Sequence, residues 1–159
     1  MKFRIGLGFD LHRLGPGSHL VIGGVEIPHG KSFIAHSDGD VLCHAIVDAL
    51  LGAAGLGNIG ERFPDSDQQY QGMSSLKFLA VAVSLLRESG FHIENIDSNI
   101  LAEKPKLLPY FPSMRERIAT SLQMRAENVS IKAKTMEGIG LIGTEEAIAA
   151  QCVALISYE

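Results

Sequence analysis

The sequence predicts an α+β fold, in which one mixed four-stranded main sheet is covered by helices and accompanied by a small N-terminal hairpin. Three observations lead to this prediction. The 159 residues correspond to one domain over 1–159, helix-like and strand-like segments alternate, and no repeat or linker divides the chain. The order of the strands does not follow from these observations.

The first elements are a strand and a hairpin. Residues 4–11 are expected to form the strand, and the short apolar segments 20–22 and 25–27 flank Gly23 and Gly24. Two glycines between such segments are a strong signal for a two-residue hairpin turn.

Two helices with a long loop between them are expected next. Residues 37–54 predict a helix with Ser37 as its N-cap, because Asp40 three residues later completes a capping-box pattern. Residues 55–72 are rich in Gly, Pro and Asp, and loops of that length are usually functional or disordered. Residues 74–89 predict the second helix.

The second half adds strands and one more helix. A strand is expected over 95–103, since Pro105 interrupts it, and Pro112 begins a helix that extends to residue 122. Residues 129–135 alternate apolar and polar side chains as a half-buried strand does, and 147–158 predict a long apolar strand.

Composition excludes several classes of protein. The net charge is −4, whereas a general nucleic-acid binder has a basic excess. The sequence contains no apolar run long enough for a membrane span and no signal-peptide pattern, so we expect a cytoplasmic protein without nucleic-acid or membrane partners. Cys43 and Cys152 lie in apolar segments and are expected to be buried, reduced thiols.

The most informative residues are metal-ligand types. Asp10 and His12 are two apart on a predicted strand and therefore project from the same face. His44 lies on the apolar helix, with Asp40 and Asp48 one turn away on either side. This pattern suggests that one His44 nitrogen binds a metal while a carboxylate holds the other.

Asp10, His12 and His44 together suit Zn²⁺ and leave a fourth position open, as in catalytic sites. His36 and Ser37 at the helix entrance would lie beside that position, where free N–H groups favour a phosphate. Taken singly, these residues also fit a surface Asp–His pair, a neutral core histidine and simple helix capping.

Three further segments carry weaker signals. The aspartates of 63–67 can accept sugar hydroxyls, 102–108 is a stiff basic loop, and 132–137 ends a strand with groups suited to a phosphate and to Mg²⁺. Read alone, each is more simply an ordinary turn or strand end.

The motif 36–48, with the Asp-x-His pair of 10–12 upstream, closely resembles the 2-C-methyl-D-erythritol 2,4-cyclodiphosphate synthase family of the non-mevalonate isoprenoid pathway. The combination of the two motifs is highly specific. The similarity covers essentially the whole chain and includes, in the family's order, segments 22–24, 63–67, 105–106 and 132–135.

The resemblance implies a homotrimer whose active sites lie between neighbouring subunits. It makes Asp10, His12 and His44 the ligands of one zinc ion per subunit. It makes Glu137 the ligand of a second divalent cation, Mg²⁺ or Mn²⁺, held between the two phosphates.

The resemblance also implies the residues that meet a cytidine diphosphate substrate. His36 and Thr135 match catalytic residues that position the diphosphate and stabilise the transition state. The loop around Asp65 matches the methylerythritol site, and 102–108 with 134–137 match the cytidine pocket of the adjacent subunit. The implied substrate contacts are Asp10, His12, His36, Ser37, Asn58, Gly60, Phe63, Asp65, Asp67, Ala102, Pro105, Lys106, Leu107, Leu108, Lys134, Thr135 and Glu137.

The implied reaction is intramolecular. The 2-phosphate of 4-diphosphocytidyl-2-C-methyl-D-erythritol 2-phosphate attacks the β-phosphorus, CMP leaves, and a cyclic diphosphate remains. A phosphate nucleophile is already ionised and needs no strong general base, so charge neutralisation and positioning would carry the catalysis.

The chain departs from the family's usual pattern at a few positions. Asn58 stands where many members have Asp, and Leu141 and Thr144 replace a Phe and an Arg, so we assign no phosphate binding to Thr144. Two alternative functions remain. One is a metal-dependent phosphohydrolase that activates water at the open zinc position, and the other is a non-catalytic metal- or nucleotide-binding trimer.

Overall fold

The structure is a computed structural model that describes residues 1–64 and 66–159. The α+β class and the expected long elements are confirmed, and the loop expected at 55–72 contains a short helix and a 3₁₀ turn. The strands are β1 (Lys2–Pro16), β2 (His19–Ile22), β3 (Val25–Pro28), β4 (Lys31–Phe33), β5 (His92–Leu101), β6 (Val129–Lys134) and β7 (Ala147–Tyr158). The helices are α1 (Val41–Ala54), α2 (Ile59–Arg62), α3 (Ser75–Glu88), α4 (Phe111–Leu122) and α5 (Gly140–Gly143), with 3₁₀ turns at Gln68–Tyr70, Leu108–Tyr110 and Ala126–Asn128.

The main sheet is mixed, as predicted, but it has five strands in the order β4-β1-β7-β5-β6. The prediction of four strands was wrong because β4 has only three residues, too few for a periodic pattern. β4 pairs with the end of β1, which continues beyond residue 11 to Pro16. In the main sheet β5 and β6 run parallel and the other pairs are antiparallel, and β2 and β3 form the separate hairpin expected from Gly23 and Gly24.

Helix α1 packs closely against the sheet because β1 has glycines where the two elements meet. A Cβ atom on Gly6 would lie 1.9 Å from the carbonyl oxygen of Ala49, and one on Gly8 would lie 1.9 Å from that of Ala45. With α3 against its outer side, α1 is buried almost all round, as its apolar sequence requires. The position of α1 therefore depends on the absence of two side chains.

Helix α1 begins at Val41 with Asp40 as its N-cap, so the prediction of Ser37 as the cap was wrong. Gly39 has a φ of +73°, which interrupts a helix that started at Ser37. The Asp40 carboxylate accepts hydrogen bonds from the backbone N–H of Cys43 at 3.0 Å, Gly23 at 2.9 Å and Gly24 at 2.7 Å. Burial raises the pKa of this carboxyl group, and its contacts join the β2–β3 hairpin to the start of α1.

The sheet face opposite α1 is open and partly apolar. Alternate side chains of β1 project from it, and more than two fifths of the surface of each is exposed. The face becomes polar towards β5 and β6, where Asp97 and Lys132 form an ion pair. The exposed apolar side chains of this face are Phe3, Ile5, Leu7, Phe9, Leu11 and Val153.

The remaining expectations of the sequence concern thiols and membranes. Cys43 and Cys152 are both free and buried, as predicted, and burial raises the pKa of Cys152 to about 12. Among the helices of the described ranges, none has the length and apolar character needed to cross a bilayer.

Substitution of Gly8 by Ala tests the close approach of α1. We expect Gly8→Ala to lower the free energy of unfolding by about 3 kcal/mol, because the new methyl group overlaps the backbone of α1. Gly52→Ala is the control, since Gly52 is exposed in the same helix and its Cβ would meet nothing within 4 Å. It should stabilise the protein by about 0.5–1 kcal/mol. Urea denaturation measures both, and equal stabilities for the two variants would contradict this account.

Candidate metal centre and adjoining pocket

Three candidate metal ligands come together where β1 meets α1. Asp10 and His12 project from the same side of β1 as Gly6 and Gly8, and His44 projects from α1 towards them. His44 Nδ1 lies 3.0 Å from Asp10 Oδ2 and 3.2 Å from His12 Nε2. His12 Nε2 lies 3.4 Å from Asp10 Oδ2, which closes a triangle of donor atoms.

The spacing of these donors fits a small cation with tetrahedral coordination. Zinc ligands lie about 2.0–2.1 Å from the ion, so neighbouring donors of a tetrahedral site are about 3.3 Å apart. The three sides of the triangle are close to this length. Asp10, His12 and His44 are also the group of possible metal ligands found among the described residues.

The electrostatics of His44 favour a positive charge at this position. Burial lowers the pKa of its imidazole, but the hydrogen bond and negative charge of Asp10 raise it, and the net shift is upward. A cation bound by the triangle would therefore replace a proton that Asp10 otherwise attracts to His44.

The second nitrogen of His44 contacts hydroxyl groups, so the prediction of a carboxylate partner was wrong. His44 Nε2 lies 2.8 Å from Ser75 Oγ on α3 and 3.2 Å from Ser37 Oγ. Asp40 caps α1, and Asp48 accepts a hydrogen bond from the backbone N–H of Ile59 at 2.7 Å. Their spacing predicted that they share a helix face with His44, but both carboxylates accept hydrogen bonds from backbone N–H groups.

A pocket of about 130 Å³ adjoins the triangle. His36 lines it, and among residues 1–64 and 66–159 its buried Nε2 atom has no hydrogen-bond partner. Such a group favours a polar ligand, because a buried nitrogen without a partner is costly. The other lining residues are Ser37, His44, Ile59, Gly60, Phe63, Tyr70 and Phe78.

The long loop brings some predicted substrate contacts to the pocket. Gly60 and Phe63 line it, whereas Asn58 caps α2 by accepting a hydrogen bond from Glu61 N at 3.0 Å. Asp67 likewise caps the 3₁₀ turn that follows it. Asp65 lies outside the described residues, so its predicted role stays a prediction.

The predicted cytidine segments meet at one edge of the sheet, where the parallel strands β5 and β6 end. Ala102 N donates to Lys134 O at 2.9 Å, and Met136 N donates to the Glu103 carboxylate at 3.1 Å. Thr135 Oγ1 donates to Glu137 Oε1 at 3.2 Å, which places a hydroxyl and a carboxylate together. Of the other predicted contacts here, Ala102 and Leu107 are buried and Pro105 is half-buried. The exposed ones are Lys106, Leu108 and Lys134.

The comparison with family models decides the family. The model described as the YgbB family matches residues 3–157. The chain belongs to the YgbB family. Among its relatives, the 2-C-methyl-D-erythritol 2,4-cyclodiphosphate synthase of Clostridium kluyveri is 52% identical over 153 residues, which are 96% of this chain and 93% of that protein. The family resemblance predicted from the motifs is therefore confirmed.

Solved structures of YgbB relatives have the same fold. The bifunctional IspDF of Campylobacter jejuni aligns with a TM-score of 0.95 at 39% identity and covers 99% of this chain. This chain spans only 43% of that bifunctional protein. IspF of Plasmodium falciparum, solved as a CDP complex, aligns with a TM-score of 0.87 at 34% identity, covering 99% of this chain and 97% of its own.

Sequence reasoning missed two residues beside the metal ligands. Ser75 and Asp38 are joined by hydrogen bonds, and Ser75 contacts His44. Asp38 stands in the recognised motif, but Ser75 begins a different helix and has no spacing relation to His44. Only an alignment that showed Ser75 to be invariant would have drawn attention to it.

Removal of His44 tests the metal centre. We expect the wild-type protein to retain one zinc ion per chain after dialysis, and His44→Ala to retain none while staying folded, since two ligands hold zinc far more weakly than three. His92→Ala, which replaces an exposed histidine on β5, should retain the ion. Elemental analysis by mass spectrometry measures the metal. Stoichiometric zinc in folded His44→Ala would show that the triangle is not the site.

Proposed function

We propose that this chain is a 2-C-methyl-D-erythritol 2,4-cyclodiphosphate synthase, which converts 4-diphosphocytidyl-2-C-methyl-D-erythritol 2-phosphate to the 2,4-cyclodiphosphate and CMP. The observation that carries the proposal is the Asp10–His12–His44 triangle beside a pocket where His36 Nε2 has no hydrogen-bond partner among the described residues. Membership of the YgbB family and relatives named for this activity support it.

The triangle would hold one Zn²⁺ ion per subunit, which when bound supplies a Lewis acid for the phosphate oxygens. His36 Nε2 would donate a hydrogen bond to the diphosphate as charge develops on it. Phe63, Tyr70 and Phe78 pack against one another in the lining of this pocket and would limit the access of water to the reacting phosphates.

No residue of the pocket needs to remove a proton from the nucleophile. An oxygen of the 2-phosphate forms a bond to the β-phosphorus, and the bond from that phosphorus to the bridging oxygen breaks, so CMP leaves with the electron pair. The nucleophile is already an anion, and the main barrier is repulsion between negatively charged groups. Cations and oriented donors, rather than a general base, therefore carry the catalysis.

We further propose that Glu137 holds a second divalent cation, Mg²⁺ or Mn²⁺, with the substrate phosphates. Mg²⁺ is usually bound by one or two carboxylates together with phosphate oxygens and water, so a single exposed carboxylate is sufficient. Thr135, which donates to Glu137, would contact the same phosphates. Lys134 and the 102–108 loop would receive the cytidine.

The positions of the two clusters support a homotrimer with sites between subunits. In the sheet, Asp10 on β1 is aligned through β7 and β5 with Ala133 on β6. The two residues are therefore three strand spacings apart, a distance of about 14 Å. Asp10 and His12 face α1, whereas Lys134 shares a side of the sheet with Leu11 on the open face. The two clusters of one chain therefore do not face each other, and a neighbour would supply the missing half.

A product assay tests the reaction. With the proposed substrate, zinc and Mg²⁺, we expect CMP and the cyclic diphosphate in equal amounts. We expect His36→Ala to lower kcat by about 10²–10³-fold, the usual effect of removing one donor to a developing charge. Release of inorganic phosphate instead would indicate a phosphohydrolase. Tight CDP binding with no product would indicate a non-catalytic binding protein.

The open face of the sheet gives a separate test of the trimer. Light scattering should give three times the mass of one chain for the wild type, and Leu7→Asp should give monomers, because an apolar interface does not tolerate a buried unpaired charge. Val81→Asp is the control, since Val81 is an exposed apolar residue on α3, away from that face. A trimeric Leu7→Asp would contradict the proposed interface.

A further inference from the structure

Two residues connect His44 to the scaffold behind the proposed metal centre. Ser75, the first residue of α3, is fully buried, and its Oγ atom lies 2.8 Å from His44 Nε2. The same hydroxyl donates a hydrogen bond to Asp38 Oδ1, in the segment before α1. Asp38 Oδ2 accepts from Ser75 N at 2.8 Å, so both oxygens of this carboxylate contact Ser75.

The chemistry of these groups gives the chain of hydrogen bonds a direction. An ionised carboxylate only accepts hydrogen bonds, so the Ser75 hydroxyl proton points to Asp38. The lone pairs of Ser75 Oγ are then left to accept a proton from the imidazole, which places the hydrogen of His44 on Nε2. When a cation occupies the triangle, Nδ1 faces Asp10 and His12 without a proton and is free to bind the ion.

We propose that Asp38 and Ser75 are positioning residues that select the metal-binding tautomer of His44 and orient its ring. The inference rests on the metal centre proposed above. Asp38 and Ser75 lie behind the imidazole, on the side away from Asp10 and His12, and neither is one of the three ligands. Their contribution is to make Nδ1 a better donor to the cation.

A second contact of the imidazole limits the effect of losing Ser75. Ser37 Oγ lies 3.2 Å from His44 Nε2, and it also receives a hydrogen bond from Gly39 N at 3.4 Å. Among the described residues, no carboxylate accepts a hydrogen bond from Ser37 Oγ, so the direction of its hydroxyl proton is not fixed. It therefore contacts Nε2 without selecting the tautomer.

The test compares zinc affinities of the full-length protein by competition with a chelator. Ser75→Ala removes the hydroxyl and leaves the backbone N–H that Asp38 accepts, so α3 keeps that contact. We expect Ser75→Ala and Asp38→Asn each to weaken zinc binding by about 10–100-fold, as loss of such supporting groups does. The double variant should bind zinc no more weakly than whichever single variant has the lower zinc affinity. Both substitutions interrupt the same series of hydrogen bonds, from Asp38 through Ser75 to His44.

Two controls separate this role from simple stability or charge. Ser74→Ala makes the same change one residue earlier, at a serine whose side chain makes no capping hydrogen bond. Asp48→Asn removes an α1 carboxylate that accepts a backbone N–H, as Asp38 does, but that is not bonded to Ser75, the residue through which Asp38 reaches His44. Both controls should bind zinc within about twofold of the wild type, well inside the 10–100-fold expected of the positioning variants.

Long-range ¹H–¹⁵N spectra of the zinc-loaded protein give a readout that a structural role would not change. The wild type should show His44 with its proton on Nε2, and Ser75→Ala should show faster exchange of that proton with solvent. Zinc affinity and exchange equal to the wild type in Ser75→Ala would overturn the proposal, even if Asp38→Asn fails to fold. A wild type that binds no zinc would overturn the metal centre itself, and this inference with it.

Discussion

The contact between β1 and α1 is the constraint on which the site depends. Gly6 and Gly8 allow the backbone of α1 to lie directly against the strand, beside Ala49 and Ala45. His44 precedes Ala45, and Asp10 follows Gly8 on the same side of β1, so the packing that buries the helix also brings the imidazole to the carboxylate. A wider separation would leave the three donor atoms too far apart to share an ion. Core packing and metal-site geometry are therefore one structural feature.

A buried carboxylate positions the start of the same helix. Asp40 accepts three backbone N–H groups, two from the hairpin turn and one from the first turn of α1. The cost of burying its charge appears as a raised pKa, and the hydrogen bonds offset that cost. The adjacent segment is held by Asp38, which contacts Ser75 on α3. The contacts of Asp38 and Asp40 thus fix the segment before α1, which places His36 and Ser37 in the pocket lining.

The distribution of the candidate site residues over the sheet is consistent with the proposed sites between subunits. The candidate metal ligands lie on the side of the sheet that α1 covers, and the segments predicted to bind cytidine lie at the end of β5 and β6, three strand spacings away. An exposed apolar face on β1 accompanies this arrangement, and large exposed apolar patches mark surfaces that other molecules cover. In the proposed homotrimer, assembly and catalysis would use the same surface, because a neighbouring subunit would complete the site.

The amino-acid sequence by itself determined the α+β class, the long elements, the hairpin turn, the family and the three candidate metal ligands, because these depend on local patterns: alternation, glycine pairs and short motifs. Only the tertiary structure decided three other features. It added β4, whose three residues carry no periodicity, and it moved the cap of α1 from Ser37 to Asp40, because Gly39 takes a left-handed conformation. It also brought Ser75 to His44 across 31 positions of sequence. Such contacts arise from the packing of whole helices, and no spacing along the chain encodes them.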